Sequence, residues 1–259
     1  MNNLNLKNIA EALIDTFFEA GEIAKKISIE GVKTTIKDDK SPVTNADLAV
    51  NDLLIYKIKS LTPNIPVISE ENFNLSTINL GKNFWLIDPI DGTKEYIKKG
   101  DEYTLNAALI LNLYPAIGII YAPAKNRLFF SYGKKSAFEI TNKKKIILDC
   151  KRKNSKKIIG LENSGTTPEE VLKIYNKYNV SDTVRMSSSL KFCVIAAGEA
   201  DIYAAKARAF EWDIAAGHAI LEGSGGTVTK HSGEKFLYGK KNFKNLSIIA
   251  KSDNLNYKI

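Results

Sequence analysis

Apolar residues recur every three or four positions at the start of the chain. Leu6, Ile9, Leu13, Phe17, Ala20, Ala24 and Ile27 fall on one stripe, the pattern of an amphipathic helix. The segment "KDDKSPVTNAD" reads as a loop into a second helix that continues through "LAVNDLLIYKIKSL". Thr44 is placed to cap it, with Asp47 at N3 of a capping-box variant. The pattern then shortens. "IPVISEE" and "NFWLIDPIDGT" read as buried strands that end in acids. "YTLNAALIL", "AIGIIYAP", "RLFFSY" and "AFEI" follow, broken by Pro, Gly or polar residues, like antiparallel strands of one sheet.

Beyond a lysine-rich stretch, "KIIGLENS" is a strand and loop, and a helix starts at Thr167-Pro168-Glu169-Glu170. "SSSLKFCVIAAGEA" reads as a helix and "DIYAA" as a strand. "WDIAAGHAILEGSGG" is a helix with small residues on one face, ending in glycines. "TVTK" and "LSIIAK" are the final strands. Strands and helices mix in both halves, which predicts an α/β (α+β) fold in two packed lobes, residues 1–142 and 143–259.

Four acids share a placement in this pattern. Glu70 ends a strand, Asp88 and Asp91 end another, and Asp213 begins the small-residue helix; Asp47 lies in a first helical turn. Each has a structural reading. "DPIDG" by itself is turn chemistry, Asp47 a capping acid, Asp213 a helix-start acid favoured by the dipole, and Glu70 a solvated strand end. Taken together, they stand where α/β proteins place their sites.

Composition narrows the chemistry. The 259 residues are 44% hydrophobic and 25% charged, as in ordinary globular proteins. No run reaches the roughly 18 apolar residues of a membrane span. The N-terminus lacks the basic start and cleavage site of a signal peptide, so a cytoplasmic address is expected. Two cysteines, Cys150 and Cys193, and two histidines, His218 and His231, do not make a zinc site. Converging carboxylates instead suit Mg²⁺, which takes oxygen ligands at about 2.0–2.1 Å. Two such ions about 3.5–4 Å apart form a clamp for phosphoryl displacement. The Ile90 carbonyl could add a ligand, the Gly92 and Thr93 amides could bind a phosphate oxygen, and the Thr93 hydroxyl could orient a water.

The net charge of +8 is local, because residues 143–157 carry eight basic residues and one acid. Such a run is ordinarily a solvated edge or connector. No RNA-binding aromatic signature or zinc finger accompanies it, so no specific nucleic-acid partner is expected. A weak contact with an anionic membrane surface on the cytoplasmic side stays open, as does the choice between monomer and homodimer.

"SEEN", "DPIDGTKEY" and "WDIAAG" resemble the three signatures of the lithium-sensitive, Mg²⁺-dependent phosphatases, which include inositol monophosphatases, fructose-1,6-bisphosphatases and bisphosphate nucleotidases. The order and spacing match through nearly the whole chain. "KDDKSPVTNAD", "DGTKEYIKKGDEYTLNAALI", "GIIYAP", "SSSLKFCVIAAGEADIY" and "WDIAAGHA" resemble more narrowly the CysQ-type 3'(2'),5'-bisphosphate nucleotidases. The resemblance implies a layered αβαβα sandwich with the site between two lobes. It implies that Glu70, Asp88, the Ile90 carbonyl, Asp91 and Asp213 hold two or three Mg²⁺ ions, and that Asp47 and Thr93 activate the attacking water. Gly92 and Thr93 would hold the scissile phosphate, beside Glu70, Asp91 and Asp213, while Ser188 and Lys191 would contact the nucleotide. The implied reaction removes the 3'-phosphate of adenosine 3',5'-bisphosphate in sulfur assimilation, with an inositol- or sugar-phosphate phosphatase as the alternative. Two departures bear on the substrate: "LENS" at 161–164 stands where related nucleotidases have "SRSH", and Ala204-Ala205 where they have Pro-Arg, leaving Lys206 and Arg208 as the nearest cations.

Overall fold

The structure is a computed structural model that describes residues 5–37, 40–72, 81–151, 157–253 and 255. Helix α1 (Leu6–Glu30) leads through the hairpin β1 (Thr34–Ile36) and β2 (Pro42–Thr44) into α2 (Asn45–Leu61). The loop expected before α2 is therefore partly this small antiparallel hairpin. Apart from the buried Thr44, its strands are exposed or half-buried and carry no apolar alternation, so the sequence pattern holds no strand signal.

Strands β3 (Val67–Ser69), β4 (Phe84–Asp91), β5 (Thr104–Leu111), β6 (Tyr114–Ala122), β7 (Arg127–Ser131), β8 (Ala137–Thr141) and β9 (Lys144–Ile147) form one sheet in that order, with the short helix α3 (Thr93–Ile97) after β4. The basic stretch thus opens as an edge strand, and the expected division at 142/143 falls between β8 and β9. Its residues 152–156 lie outside the described residues.

The second sheet has the order β11-β10-β12-β14-β13, from β10 (Ile159–Glu162), β11 (Asp182–Arg185), β12 (Ile202–Ala205), β13 (Thr227–Lys230) and β14 (Ile248–Lys251). Three helices accompany it: α4 (Glu169–Lys177), α5 (Leu190–Ala196) and α6 (Ala215–Gly223).

The layering follows from alternation along the strands. Trp85 and Ile87 of β4, with Leu105, Ala107 and Leu109 of β5, pack with Leu13 and Phe17 of α1 and Val50 and Leu54 of α2. Phe84, Leu86, Ala108 and Ile110 point the other way and join Phe192, Ile195, Ile220 and Leu221 of α5 and α6. A third cluster, including Val171 and Tyr175 of α4, covers Ile202, Ala204 and Ile249 of the second sheet. The layers read α1/α2, first sheet, α5/α6, second sheet, α4, which is the expected αβαβα sandwich.

The central strands of the first sheet, β4 to β7, are covered on both faces and read as nearly continuous apolar runs. Helix α6 lies directly against sheet backbone. A Cβ on Gly118 of β6 would sit 2.3 Å from the Ala216 carbonyl oxygen, and one on Gly217 would sit 2.5 Å from the Phe192 ring. Among the described residues, no helix is long and apolar enough to cross a membrane.

Candidate active site

The "DPID" segment is not a turn. It completes β4, and the register against β5 shifts between Asp88 and Asp91. A bulge of this kind re-aims side chains where pairing is interrupted. The chain then turns at Gly92, whose φ of +88° suits glycine, and Thr93 opens α3. Asp88 and Asp91 thereby line one cavity of about 260 Å³ with Glu70, Ile90, Gly92, Thr93 and Asp213.

Carboxylate oxygens of Glu70, Asp88 and Asp213 lie within 4.8 Å of one another. Asp91 stands beside this triad and accepts the Ser189 N–H at 2.5 Å. Asp88 is 2% exposed, and its Oδ1 has no hydrogen-bond partner. Burial raises the Asp88 and Asp213 carboxyls well above the usual range, reinforced by the neighbouring acids, Glu70 foremost for Asp88 and Asp91 foremost for Asp213. Burial also pushes Asp91 up to about 6, against the pull of the Lys191 ammonium. Buried acids in mutual repulsion, one with an orphaned oxygen, are relieved by a proton or by a cation. An all-oxygen donor set fits a hard divalent ion such as Mg²⁺.

Lys37 was not singled out in the sequence. It ends the β1 arm of the hairpin and lies 3.0 Å from Glu70 and 2.8 Å from Glu71. It opens "KDDKSPVTNAD", but only the hairpin brings it to "SEEN".

Asp47 carries both of its readings at once. Its Oδ2 accepts the Thr44 N–H at 2.8 Å and the Thr44 hydroxyl, completing the capping box. Its Oδ1 faces the Thr93 hydroxyl at 3.5 Å. Burial raises its carboxyl, and the Thr44 bonds oppose the shift. The Thr93 hydroxyl also lies 3.1 Å from the Ile90 carbonyl. One proton is thus shared between an acid and a carbonyl, and the carbonyl keeps a second lone pair for a cation. Asp213 is similarly divided: its Oδ2 accepts the Phe210 N–H at 2.8 Å, holding the turn before α6.

A second cavity, of about 200 Å³, shares Asp91 and Asp213 as a wall and is lined beyond them by Ser188, Lys191, Lys206 and Arg208. The helix expected from Ser187 begins only at Leu190, because Ser188 adopts φ +54°. Lys191 faces this cavity but is 4% exposed. Its ammonium donates to the Ser188 and Met186 carbonyls at 2.7 and 3.1 Å and sits 5.0 Å from the Tyr203 ring centroid. Burial lowers it to about 8, opposed by Asp91. Lys191 therefore fixes the 186–188 segment as well as charging the cavity. Arg208, by contrast, is exposed and makes no ion pair among the described residues.

The segment is also tied to the first sheet and the loop before β5 through Glu102, Thr104 and Asn106. Ser187 N–H donates to Glu102 at 2.7 Å, and Ser189 Oγ donates to Asn106 and meets Thr104 Oγ1, each at 2.8 Å. Thr104 and Asn106 are the two polar residues in a strand that is otherwise apolar, which was the available signal.

An αβαβα sandwich with an acid cavity at the end of β4, facing the turn before α6, is the arrangement of a phosphatase-like class. The model of the inositol monophosphatase family matches residues 5–257, and the chain belongs to that family. It is 35% identical to the 3'(2'),5'-bisphosphate nucleotidase CysQ of Buchnera aphidicola over 242 residues, 90% of each chain. It is 34% identical over 203 residues to the protein of that name from Salmonella typhimurium, covering 78% of this chain and 81% of the relative. Among solved structures, CysQ from Bacteroides thetaiotaomicron matches with a TM-score of 0.81 at 29% identity, covering 97% of this chain and all of that one.

Proposed function

We propose that this chain is a Mg²⁺-dependent bisphosphate nucleotidase that removes the 3'-phosphate of adenosine 3',5'-bisphosphate, releasing AMP and phosphate. One observation carries the reading. The acid cavity and the cation-lined cavity share Asp91 and Asp213 as a common wall. A substrate with two phosphates fits such a pair, one over the acids and one among the cations. Similarity to relatives named for this activity supports it.

Glu70, Asp88, Asp91, Asp213 and the Ile90 carbonyl would hold the Mg²⁺ ions, which supply charge neutralisation at the transferring phosphoryl group and a more acidic water. The Gly92 and Thr93 amides stand at the cavity edge to receive a phosphate oxygen. Were the Ile90 carbonyl to ligate a cation, the Thr93 hydroxyl would donate to Asp47 instead. The Thr93 oxygen is then left to accept a proton from the attacking water, with Asp47 behind it. Ser188 and Lys191 shape the neighbouring cavity, and Arg208 meets the second phosphate. The proposed setting is the cytoplasm, in sulfur assimilation, with inhibition by lithium at saturating Mg²⁺.

The test is phosphate release from adenosine 3',5'-bisphosphate, inositol 1-phosphate and fructose 1,6-bisphosphate side by side with Mg²⁺. Fastest turnover of the nucleotide supports the proposal, and fastest turnover of inositol 1-phosphate replaces it with the general phosphatase. Arg208→Ala refines the result. Losing a charge-assisted bond of about 1.5–3 kcal/mol raises KM for the bisphosphate by roughly tenfold or more, while inositol 1-phosphate changes by less than about twofold. Lys191→Ala is a poorer probe, because it also releases the 186–188 carbonyls.

A further inference from the structure

The buried carboxylate of Glu211 has no place in the acid cavity, although it stands two residues from Asp213. It is 0% exposed. Its Oε2 accepts the Gly239 N–H at 2.8 Å and its Oε1 the Lys240 N–H at 2.9 Å. The Lys240 ammonium closes on the same Oε1 at 2.7 Å. All of these partners belong to the loop before β14, some thirty residues on in the chain.

The Glu211 backbone takes part as well. Its N–H donates to the Phe243 carbonyl at 2.8 Å, and its carbonyl accepts the Ile214 and Ala215 N–H groups at 3.2 and 3.0 Å. Phe210, on the near side, donates to Asp213 Oδ2 and receives the Asn245 side-chain amide on its carbonyl. The turn that presents Asp213 is thus held between α6 and the 239–245 loop, with Glu211 as the charged tie.

We propose that Glu211 is a positioning residue for the cation site: by binding the Asp213 turn to the 239–245 loop, it sets the separation of Asp213 from Glu70 and Asp88. This rests on the reading of those acids as a cation site, and not on the identity of the substrate. Misplacing one ligand of a near-octahedral ion weakens binding, because Mg²⁺ tolerates little distortion. In Glu211→Gln, an amide NH₂ would replace one of two oxygens that both accept backbone N–H groups, so one donor faces another.

The experiment is calorimetric titration of the metal-free full chain with MgCl₂. Glu211→Gln is expected to weaken Mg²⁺ binding at least tenfold. The half-buried Lys240 ammonium loses its partner in that variant, which can destabilise the fold, so Glu211→Gln/Lys240→Met, which removes both charges, is measured in parallel. It is expected to remain folded by circular dichroism and to show the same weakened binding. Turnover should recover at high Mg²⁺ with KM for the phosphate ester within about twofold of wild type. Arg127→Met is the control. It breaks a comparable pair with Glu139, 2.6 Å apart, at the far end of the first sheet, and should lower the melting temperature without changing the Mg²⁺ affinity. A folded double variant that binds Mg²⁺ within twofold of wild type overturns the role of Glu211 and leaves the cation site standing. A wild-type chain that binds no Mg²⁺ overturns both.

Discussion

Asp88→Asn should lower turnover by about 10³-fold or more, since a metal-assisted step depends on several kcal/mol of charge stabilisation. The same change should leave the metal-free protein at least as stable as wild type. The Asp88 side chain is buried with an unpartnered Oδ1 and is crowded by Glu70, Asp91, Asp213 and Asp47. An amide removes a repelled charge and supplies a donor among acceptors, which should raise the metal-free melting temperature by about 2–4 °C for each kcal/mol recovered.

The pH dependence has the corresponding sign. Asp91 is pushed up to about 6, and Asp88, Asp213 and Asp47 are raised, all by burial first. The folded metal-free state therefore binds more protons than the unfolded one. The stability contributed by these groups is lost as pH rises from about 4, the unperturbed value, through their folded values. Melting with EDTA at pH 5 and pH 8 should show this loss. With Mg²⁺ added, the gain in melting temperature should be larger at pH 8, where the ligands ionise readily. An Asp88→Asn protein with normal turnover would return "DPID" to a purely structural role.

Thr93→Ala and Asp47→Asn should each lower kcat by about 10²–10⁴-fold, the usual scale for a positioned proton acceptor, while Mg²⁺ affinity changes by less than about threefold. The basis is the shared proton: Thr93 Oγ1 lies 3.1 Å from the Ile90 carbonyl and 3.5 Å from Asp47 Oδ1. Asp47→Asn should also cost about 1 kcal/mol of stability through the capping box, whereas Thr93→Ala should not. Parallel loss of kcat and Mg²⁺ affinity in Thr93→Ala would make the hydroxyl a prop for the Ile90 carbonyl instead.

What was legible in the sequence had local causes. The stripe from Leu6 to Ile27 needs only helical periodicity, and α1 follows it. The buried strands β4 to β7 announce themselves by apolar runs. The edge strands β9 and β11 do not: "KKII" and "DTVR" are exposed at every position and depend on their neighbours for pairing. Asp88, Asp91 and Asp213, which share one cavity, are marked in the sequence because acids at strand ends and helix starts form a pattern. Glu211 and Lys37 are not, since their roles depend on partners that only the folded chain supplies. Ser188 shortened α5 through a left-handed backbone that its sequence does not demand.

The close seat of α6 on the first sheet constrains how relatives of this protein can diverge. Any side chain at position 118 meets a main-chain oxygen, that of Ala216. No second substitution can shrink a carbonyl, so this glycine has no compensating partner. At position 217 the obstacle includes the Phe192 Cβ, at 2.6 Å, which every residue but glycine carries, so shrinking residue 192 to alanine does not open the space either. The exposed Lys206, on the cavity rim, can drift alone. Variation in this lineage should therefore be tightest along a glycine seam behind Asp213 and loosest on part of the surface that meets substrate, the reverse of what closeness to the chemistry would suggest.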